Sequence, residues 1–314
     1  MAGLVFCGEA LIDFLPATDG DRGTAGGGGR TFRPAVGGSP FNAARAAARL
    51  GGDAAFLGAL STEFFGDMLA AALAESAVDL SRTLRTDAIT TLAFVDTSGS
   101  SPRYAFHDEG TASRTFDPAA APPLGADTAV LHIGSVSLIG NPGADAIARY
   151  ALAEAGRRVL SVDPNVRPGL IRDWAPYIAR METLFDAAGI IRLSDEDLAF
   201  LHPGADPEAF ARARVAAGTA LVVVTFGAKG ARAFTAAGEG RAAAPPVTIA
   251  DTVGAGDTLV GAILVHLAEA GALTRDALAA LDGPALDAAL GFAVKAAAVT
   301  CSRVGADPPR RGEV

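Results

Sequence analysis

Short apolar runs alternate with longer amphipathic ones along most of this chain. Leu4–Cys7, Ala54–Leu60, Ala129–Ile133, Val159–Val162, Ile190–Leu193 and Leu221–Thr225 are compact, apolar or β-branched, and bounded by Gly, Asp or Ser. Such runs predict strands buried on both faces. Pro40–Leu50, Phe65–Glu75, Ala144–Ala155, Glu196–Leu201 and Glu208–Ala217 lie between them and are amphipathic or alanine-rich, which predicts helices. Ser39-Pro40 reads as an N-cap and first-turn pair, and Gly51-Gly52 as a helix stop. The repeated strand–helix order predicts an α/β fold, a mainly parallel sheet with helices on both faces.

Two segments break this rhythm. Ile12–Val36 is β-like at both ends and holds the flexible tract Gly26–Gly29. Thr90–Phe116 reads as a hairpin, with Thr91–Asp96 and Arg103–His107 alternating around the turn-rich Thr97–Pro102. A sheet this small is not stable alone and is expected to cover the larger domain. The glycine tract is not a phosphate loop, because no G-x-x-x-x-G-K-[ST] occurs in the chain.

Composition narrows the functional classes. Half of the 314 residues are hydrophobic, enough for a large core, yet no uninterrupted apolar run reaches the length of a membrane span; Lys295 breaks the alanine-rich Phe292–Cys301. Glu9 and Asp13 stand where a secretory signal needs apolar residues, so a cytoplasmic location is expected. A net charge of −9 without a basic stripe argues against nucleic acid as a partner. Cys7 and Cys301 are expected to be buried reduced thiols, and His107, His132, His202 and His266 lack metal-ligand spacing.

The chemistry concentrates in Asp251-Thr252-Val253-Gly254-Ala255-Gly256-Asp257-Thr258, which precedes the apolar helical run Leu259–Ala270. Small residues at 254–256 let backbone N–H groups approach a ligand, and the helix start that follows favours an anion. A carboxylate on that turn would repel a phosphate. It makes sense if Asp257 takes a proton from an alcohol while Gly254, Ala255 and Gly256 hold the phosphoryl group that the alcohol attacks. The octet resembles the D-T-x-G-A-G-D signature of the ribokinase-like (PfkB) carbohydrate kinases.

Further segments resemble that family in its order, from about Leu4 to Ala306. Asp13, in Gly8-Glu9-Ala10-Leu11-Ile12-Asp13, matches the family's sugar-binding Asp. Gly37-Gly38-Ser39-Pro40-Phe41-Asn42 is similar to its G-G-x-x-x-N signature, in which Gly37, Gly38 and Asn42 meet the sugar. Asp163-Pro164-Asn165-Val166-Arg167 resembles the D-x-N-x-R segment of fructokinases and ketodeoxygluconate kinases, with Arg167 in a substrate or phosphate role. Ser194-Asp195-Glu196-Asp197 falls where the family has N-x-x-E, which organises magnesium; here Asp197, one methylene shorter, takes the Glu position. Thr225-Phe226-Gly227-Ala228-Lys229-Gly230 resembles the T-x-G-x-x-G nucleotide loop, implying that Thr225, Gly227, Lys229 and Gly230 contact ATP. Cys301–Ala306 and Asp251 match segments that surround a potassium ion in many members.

The resemblance implies one ribokinase-like three-layer α/β/α domain over residues 1–314, with a small β-sheet lid from insertions at about 13–36 and 88–117. It also implies a homodimer formed through that lid. The expected activity is transfer of the γ-phosphoryl group of ATP, with Mg2+, to a sugar primary hydroxyl. Fructose leads, because Leu131–Ile139 and Phe106–Arg114 look like bacterial fructokinase segments, although Ser113 stands where those enzymes commonly have Asp. Ketodeoxygluconate kinase and ribokinase are the alternatives. A catalytically silent sugar-binding relative is disfavoured by the presence of both Asp13 and Asp257, and a dehydrogenase by the absence of G-x-G-x-x-G after the first strand.

Overall fold

A computed structural model describes residues 3–16, 31–96 and 103–314; the Gly26–Gly29 tract and the turn at 97–102 lie outside the described residues. The chain opens with β1 (Gly3–Cys7), whose alternate side chains pack to opposite sides. Leu4 and Phe6 join one hydrophobic cluster, and Val5 and Cys7 join another. This period of two is why a buried parallel strand is apolar at every position.

The elements then run β2 (Leu11–Pro16), β3 (Phe32–Gly37), α1 (Ser39–Arg49), β4 (Ala54–Leu57), β5 (Ala59–Ser61), α2 (Phe64–Glu75), β6 (Leu84–Thr86), β7 (Thr91–Asp96) and β8 (Arg103–His107). Next come β9 (Thr128–Gly134), α3 (Gly143–Glu154), β10 (Val159–Asp163), α4 (Trp174–Ala187), β11 (Ile190–Ser194), α5 (Asp195–Leu201), α6 (Pro207–Ala216) and β12 (Leu221–Thr225). The chain closes with β13 (Ala231–Phe234), β14 (Glu239–Ala242), α7 (Ala255–Glu269), α8 (Arg275–Ala279) and α9 (Gly283–Cys301).

Eight strands form the central sheet in the order β14-β13-β12-β11-β10-β9-β1-β4. All neighbours are parallel except the pairs β12–β13 and β13–β14 at one edge. Helices α1, α7 and α9 supply Phe41, Leu264 and Leu290 to the first cluster, while α3 and α4 supply Ile147, Met181 and Phe185 to the second. The result is three layers, helices over both faces of a mainly parallel sheet. Helix α9 alone among the described residues is long and apolar enough to cross a membrane, and it packs along α7 and β14.

A second sheet, β3-β2-β7-β8, draws its strands from the two segments that interrupt the strand–helix rhythm. Asp13 pairs with Ala93, and Ala93 with Phe106, so these three share one face. Phe14 stacks on Phe94 on the other, with ring centroids 4.7 Å apart.

Local departures from expectation have local causes. The run Ala54–Leu60 is two strands: the chain leaves the central sheet at Gly58, where a side chain would lie 2.5 Å from the Phe56 ring, and β5 pairs with β6 instead. The N-cap of α1 is Gly38, not Ser39, whose hydroxyl is committed elsewhere. Cys301 is only half-buried. Helices α4 and α8 and the hairpin β13–β14 were not anticipated.

Candidate active site

Parallel strands of an open sheet deliver their C-terminal ends to one edge, and the loops beyond them form a crevice. Here that edge holds two neighbouring cavities of about 560 Å³ and 470 Å³. The larger is walled by Val247, Ile249, Leu259, Val294 and Ala298 and reached by the turn at Thr225, Gly227 and Gly230. The smaller is polar, lined by Asp13, Gly38, Asn42, Arg167, Glu196 and Asp257. Helix α7 begins where they meet, and Gly256 lines both.

That helix start depends on glycine. Gly254 is its N-cap at φ 79, a left-handed conformation, and a side chain there would lie 2.6 Å from Ala306. The Ala255 N–H bonds Thr252 O at 3.3 Å. The amides of Gly256 and Asp257 follow on the first turn, where a helix leaves its N–H groups without intrahelical partners, and both residues line the polar cavity at the positive end of the helix.

Asp257 is buried and tightly held. Oδ1 accepts from Ser39 Oγ at 2.6 Å, and Oδ2 from Asn42 Nδ2 at 2.9 Å. Burial raises its pKa, while Ser39 and Asn42 and the charges of Arg167 and Arg192 pull it down. Asn42 Oδ1 is left buried without a partner, an acceptor available to a ligand. Ser39 is itself anchored through its N–H to Glu9 Oε1 at 3.0 Å, and Glu9 Oε2 accepts from Ser137 N at 3.1 Å. Burial lifts Glu9 to about 7 against those hydrogen bonds. Asp13 is raised to about 6, by burial against the pull of Arg167.

A polar cluster inside the sheet supports the seam. Val159, Ile190 and Val223 face the first hydrophobic cluster, and an even number of residues on (four, two and two), Asp163, Arg192 and Thr225 face the same way. Arg192 Nη1 donates to Asp163 Oδ2 and Nη2 to Thr225 Oγ1, both at 2.8 Å.

Comparison with known proteins gives this geometry a family. The pfkB family carbohydrate kinase profile matches residues 1–311. The chain belongs to the PfkB family of carbohydrate kinases. It is 39% identical over 285 residues to a fructokinase from Rhizobium leguminosarum bv. trifolii, covering 90% of this chain and 85% of the relative. A fructokinase from Xylella fastidiosa with bound ATP superposes at TM-score 0.87, 29% identical, covering 99% of this chain and 96% of the other. A fructokinase from Vibrio cholerae O395 with fructose, ADP and calcium superposes at 0.81, 25% identical, covering 98% and 94%. The chain is therefore an ATP-dependent phosphotransferase acting on a sugar hydroxyl, with the ribokinase-like fold.

Several residues singled out in the sequence take different places in this PfkB chain. Asp197 lines the polar cavity with both oxygens already hydrogen-bonded: Oδ2 accepts from Ser194 N and Oγ, and Oδ1 from Val166 N at 2.7 Å, closing the capping box of α5. Asp251 spends its carboxylate on Val253 N and Gly305 N. Among the described residues no group of three or more His, Cys, Asp or Glu is placed to hold a metal ion. Lys229 is exposed and does not line the nucleotide-sized cavity, and Gly37 lies against Asp13 behind the sugar-sized one. Ser113 Oγ donates to Ala10 O at 2.9 Å, tying the turn after β8 to the link between β1 and β2. Sequence reasoning missed Glu9, Ser39 and Arg192 as site residues. The signal for Arg192 was present, a charge inside an otherwise apolar strand, since such residues are buried only when paired.

Proposed function

We propose that this PfkB kinase is a fructokinase, transferring the γ-phosphoryl group of ATP to the 6-hydroxyl of fructose. The observation that carries the reading is Asp257, a buried carboxylate oriented by Ser39 and Asn42 at the seam between an apolar and a polar cavity. Asp13 and Asn42 Oδ1 offer acceptors to sugar hydroxyls and bring the 6-hydroxyl to Asp257, which accepts its proton. Its raised pKa makes it a stronger base than a solvated carboxylate. The Gly256 and Asp257 amides steady the oxygens of the phosphoryl group, and Thr225, Gly227 and Gly230 receive the nucleotide whose base packs on Val247, Ile249 and Leu259.

Magnesium, carried on the nucleotide phosphates, supplies charge neutralisation; the donor set fits an ion brought by the nucleotide, with Glu196 as the open carboxylate on α5. Asp251 shapes the loops at 253 and 305, where the family likeness puts potassium. The small sheet acts as the lid, residues 1–314 form one kinase domain with it, and its outer aromatic face around Phe14 and Phe94 joins two copies in a homodimer. The enzyme works in the cytoplasm.

One observation favours a second substrate. Arg167 faces the polar cavity with its hydrogen bonds going to neutral oxygens, Asn165 O and Oδ1 and Val166 O, so its charge is available to a carboxylate such as that of ketodeoxygluconate. A coupled ADP-release assay across fructose, ketodeoxygluconate and ribose decides. Fructose is expected to give the highest kcat/KM. Either alternative exceeding it by about tenfold overturns the assignment, since a site built for particular hydroxyls rejects sugars lacking them.

A further inference from the structure

The cavity assigned to the nucleotide is almost bare of charge. Among the described residues Arg192 is the one charged side chain that lines it, although a nucleoside triphosphate brings several negative charges. Arg192 also lines the sugar cavity, so it spans the boundary that a transferred phosphoryl group must cross. Its position is held from several sides. Asp163 and Thr225 each take a hydrogen bond at 2.8 Å, and the guanidinium lies against the first turn of α7. A side chain at Gly256 would stand 3.0 Å from both Nη1 and Nη2. Arg192 Nε is buried without a partner. A guanidinium carries five N–H donors, and Asp163 and Thr225 take only two of them.

We propose that Arg192 contacts the phosphoryl group as it passes between the two cavities, a catalytic arginine on β11 beside the anion-binding turn of α7. This rests on the kinase reading above. An arginine on the nucleotide side of Gly256 balances charge on the phosphoryl oxygens while the amides of Gly256 and Asp257 hold them from the helix side. It stays protonated at any working pH, and its ion pair with Asp163 keeps it in one orientation before substrates arrive. Arg167 lines only the sugar cavity and takes a different part, toward the sugar.

The test compares Arg192→Gln, Arg192→Lys and Arg167→Gln with the wild type in two measurements. Steady-state kinetics with fructose separate kcat from KM. Calorimetry compares affinity for ADP with affinity for a non-hydrolysable ATP analogue. For Arg192→Gln the expected result is a kcat lower by about 10²–10³, with fructose KM within about threefold. Affinity for the ATP analogue falls by about tenfold or more while ADP affinity changes less than about threefold. Arg192→Lys keeps the charge but not the fork, and falls between the two. Arg167→Gln raises fructose KM and leaves the ratio of the two nucleotide affinities unchanged.

Parallel weakening of ADP and the ATP analogue would mean that Arg192 only braces the sheet, and overturns the proposal. So does a kcat within about fivefold of wild type. If circular dichroism shows that Arg192→Gln fails to fold, the nucleotide comparison alone is read on Arg192→Lys, which keeps the charge beside Asp163: selective loss for the ATP analogue supports the proposal, and parallel or no loss overturns it. Wild-type enzyme inactive on fructose defeats the substrate assignment but leaves the nucleotide comparison standing, so the two failures are distinguishable.

Discussion

Burial raises the pKa of Asp257 against the pull of its hydrogen bonds, which makes it a stronger proton acceptor than a solvated carboxylate. Asp257→Asn keeps the shape of the side chain but removes the proton acceptor. Turnover should fall by about 10²–10⁴ or more while fructose and ATP still bind within a few-fold, measured by stopped assays and calorimetry. Near-normal turnover in a folded Asp257→Asn protein would end the general-base mechanism. Asp13 is separable from it. Asp13→Ala should raise the KM for fructose far more than that for ATP, since a lost charged hydrogen bond costs about 1.5–3 kcal/mol; equal effects would remove Asp13 from the sugar pocket. Because Asp13 is lifted to about 6, kcat/KM for fructose should decline as pH drops through 6, not near the usual carboxylate range. These two carboxylates were legible in the sequence because each sits in a short motif. Glu9 and Ser39 were not read as a pair, since the hydrogen bond joining them spans 30 residues and depends on how α1 meets β1.

Helix α5 shows how an element couples to the pocket. Its capping Asp197 also holds the amide of Val166, next to Arg167. Asp197→Ala should cost about 1 kcal/mol or more in urea unfolding and, by loosening the 165–167 loop, raise the fructose KM. A variant with lowered stability but unchanged KM would confine Asp197 to capping. The parallel strands of the central sheet were plain because a strand covered on both faces has to be apolar throughout, as Leu221–Thr225 is; the antiparallel edge hairpin β13–β14 was not. Trp174–Ala187 gave a weaker signal, its buried positions Tyr177, Met181, Leu184 and Phe185 set among charged and small residues. The break at Gly58 follows from β5 leaving the central sheet to pair with β6, a tertiary choice that no local pattern announces.

At the scale of the whole molecule, the buried carboxylate of Glu9 links stability to pH. Its pKa is about 7 in the folded protein, above the ordinary value, so the native state holds the proton more tightly than the unfolded chain. That contribution is present below the unfolded pKa and lost as pH rises through 7. Asp13 and Asp163, both raised to about 6, act in the same direction. Buried His132, lowered to about 3, acts the other way, so the readout is the difference between two proteins: melting temperature of the ligand-free wild type should fall more steeply between about pH 4.5 and pH 7 than that of Glu9→Gln, and equal slopes would contradict the assignment. Light scattering tests the lid-mediated homodimer, which Phe94→Asp should convert to monomer by placing a charge in its aromatic face. The alternation of strands and helices, the hairpin at Thr91–His107 and the turn at Gly254–Asp257 were all carried by local pattern, since burial period and turn glycines act within a few residues. The convergence of the site was not. Ser39 meets Asp257 across 218 residues, and Asp163, Arg192 and Thr225 meet because β10, β11 and β12 lie side by side with matching faces. Neighbour order in a sheet is set by how the layers pack, so the residues that complete the chemistry become neighbours only when the fold closes.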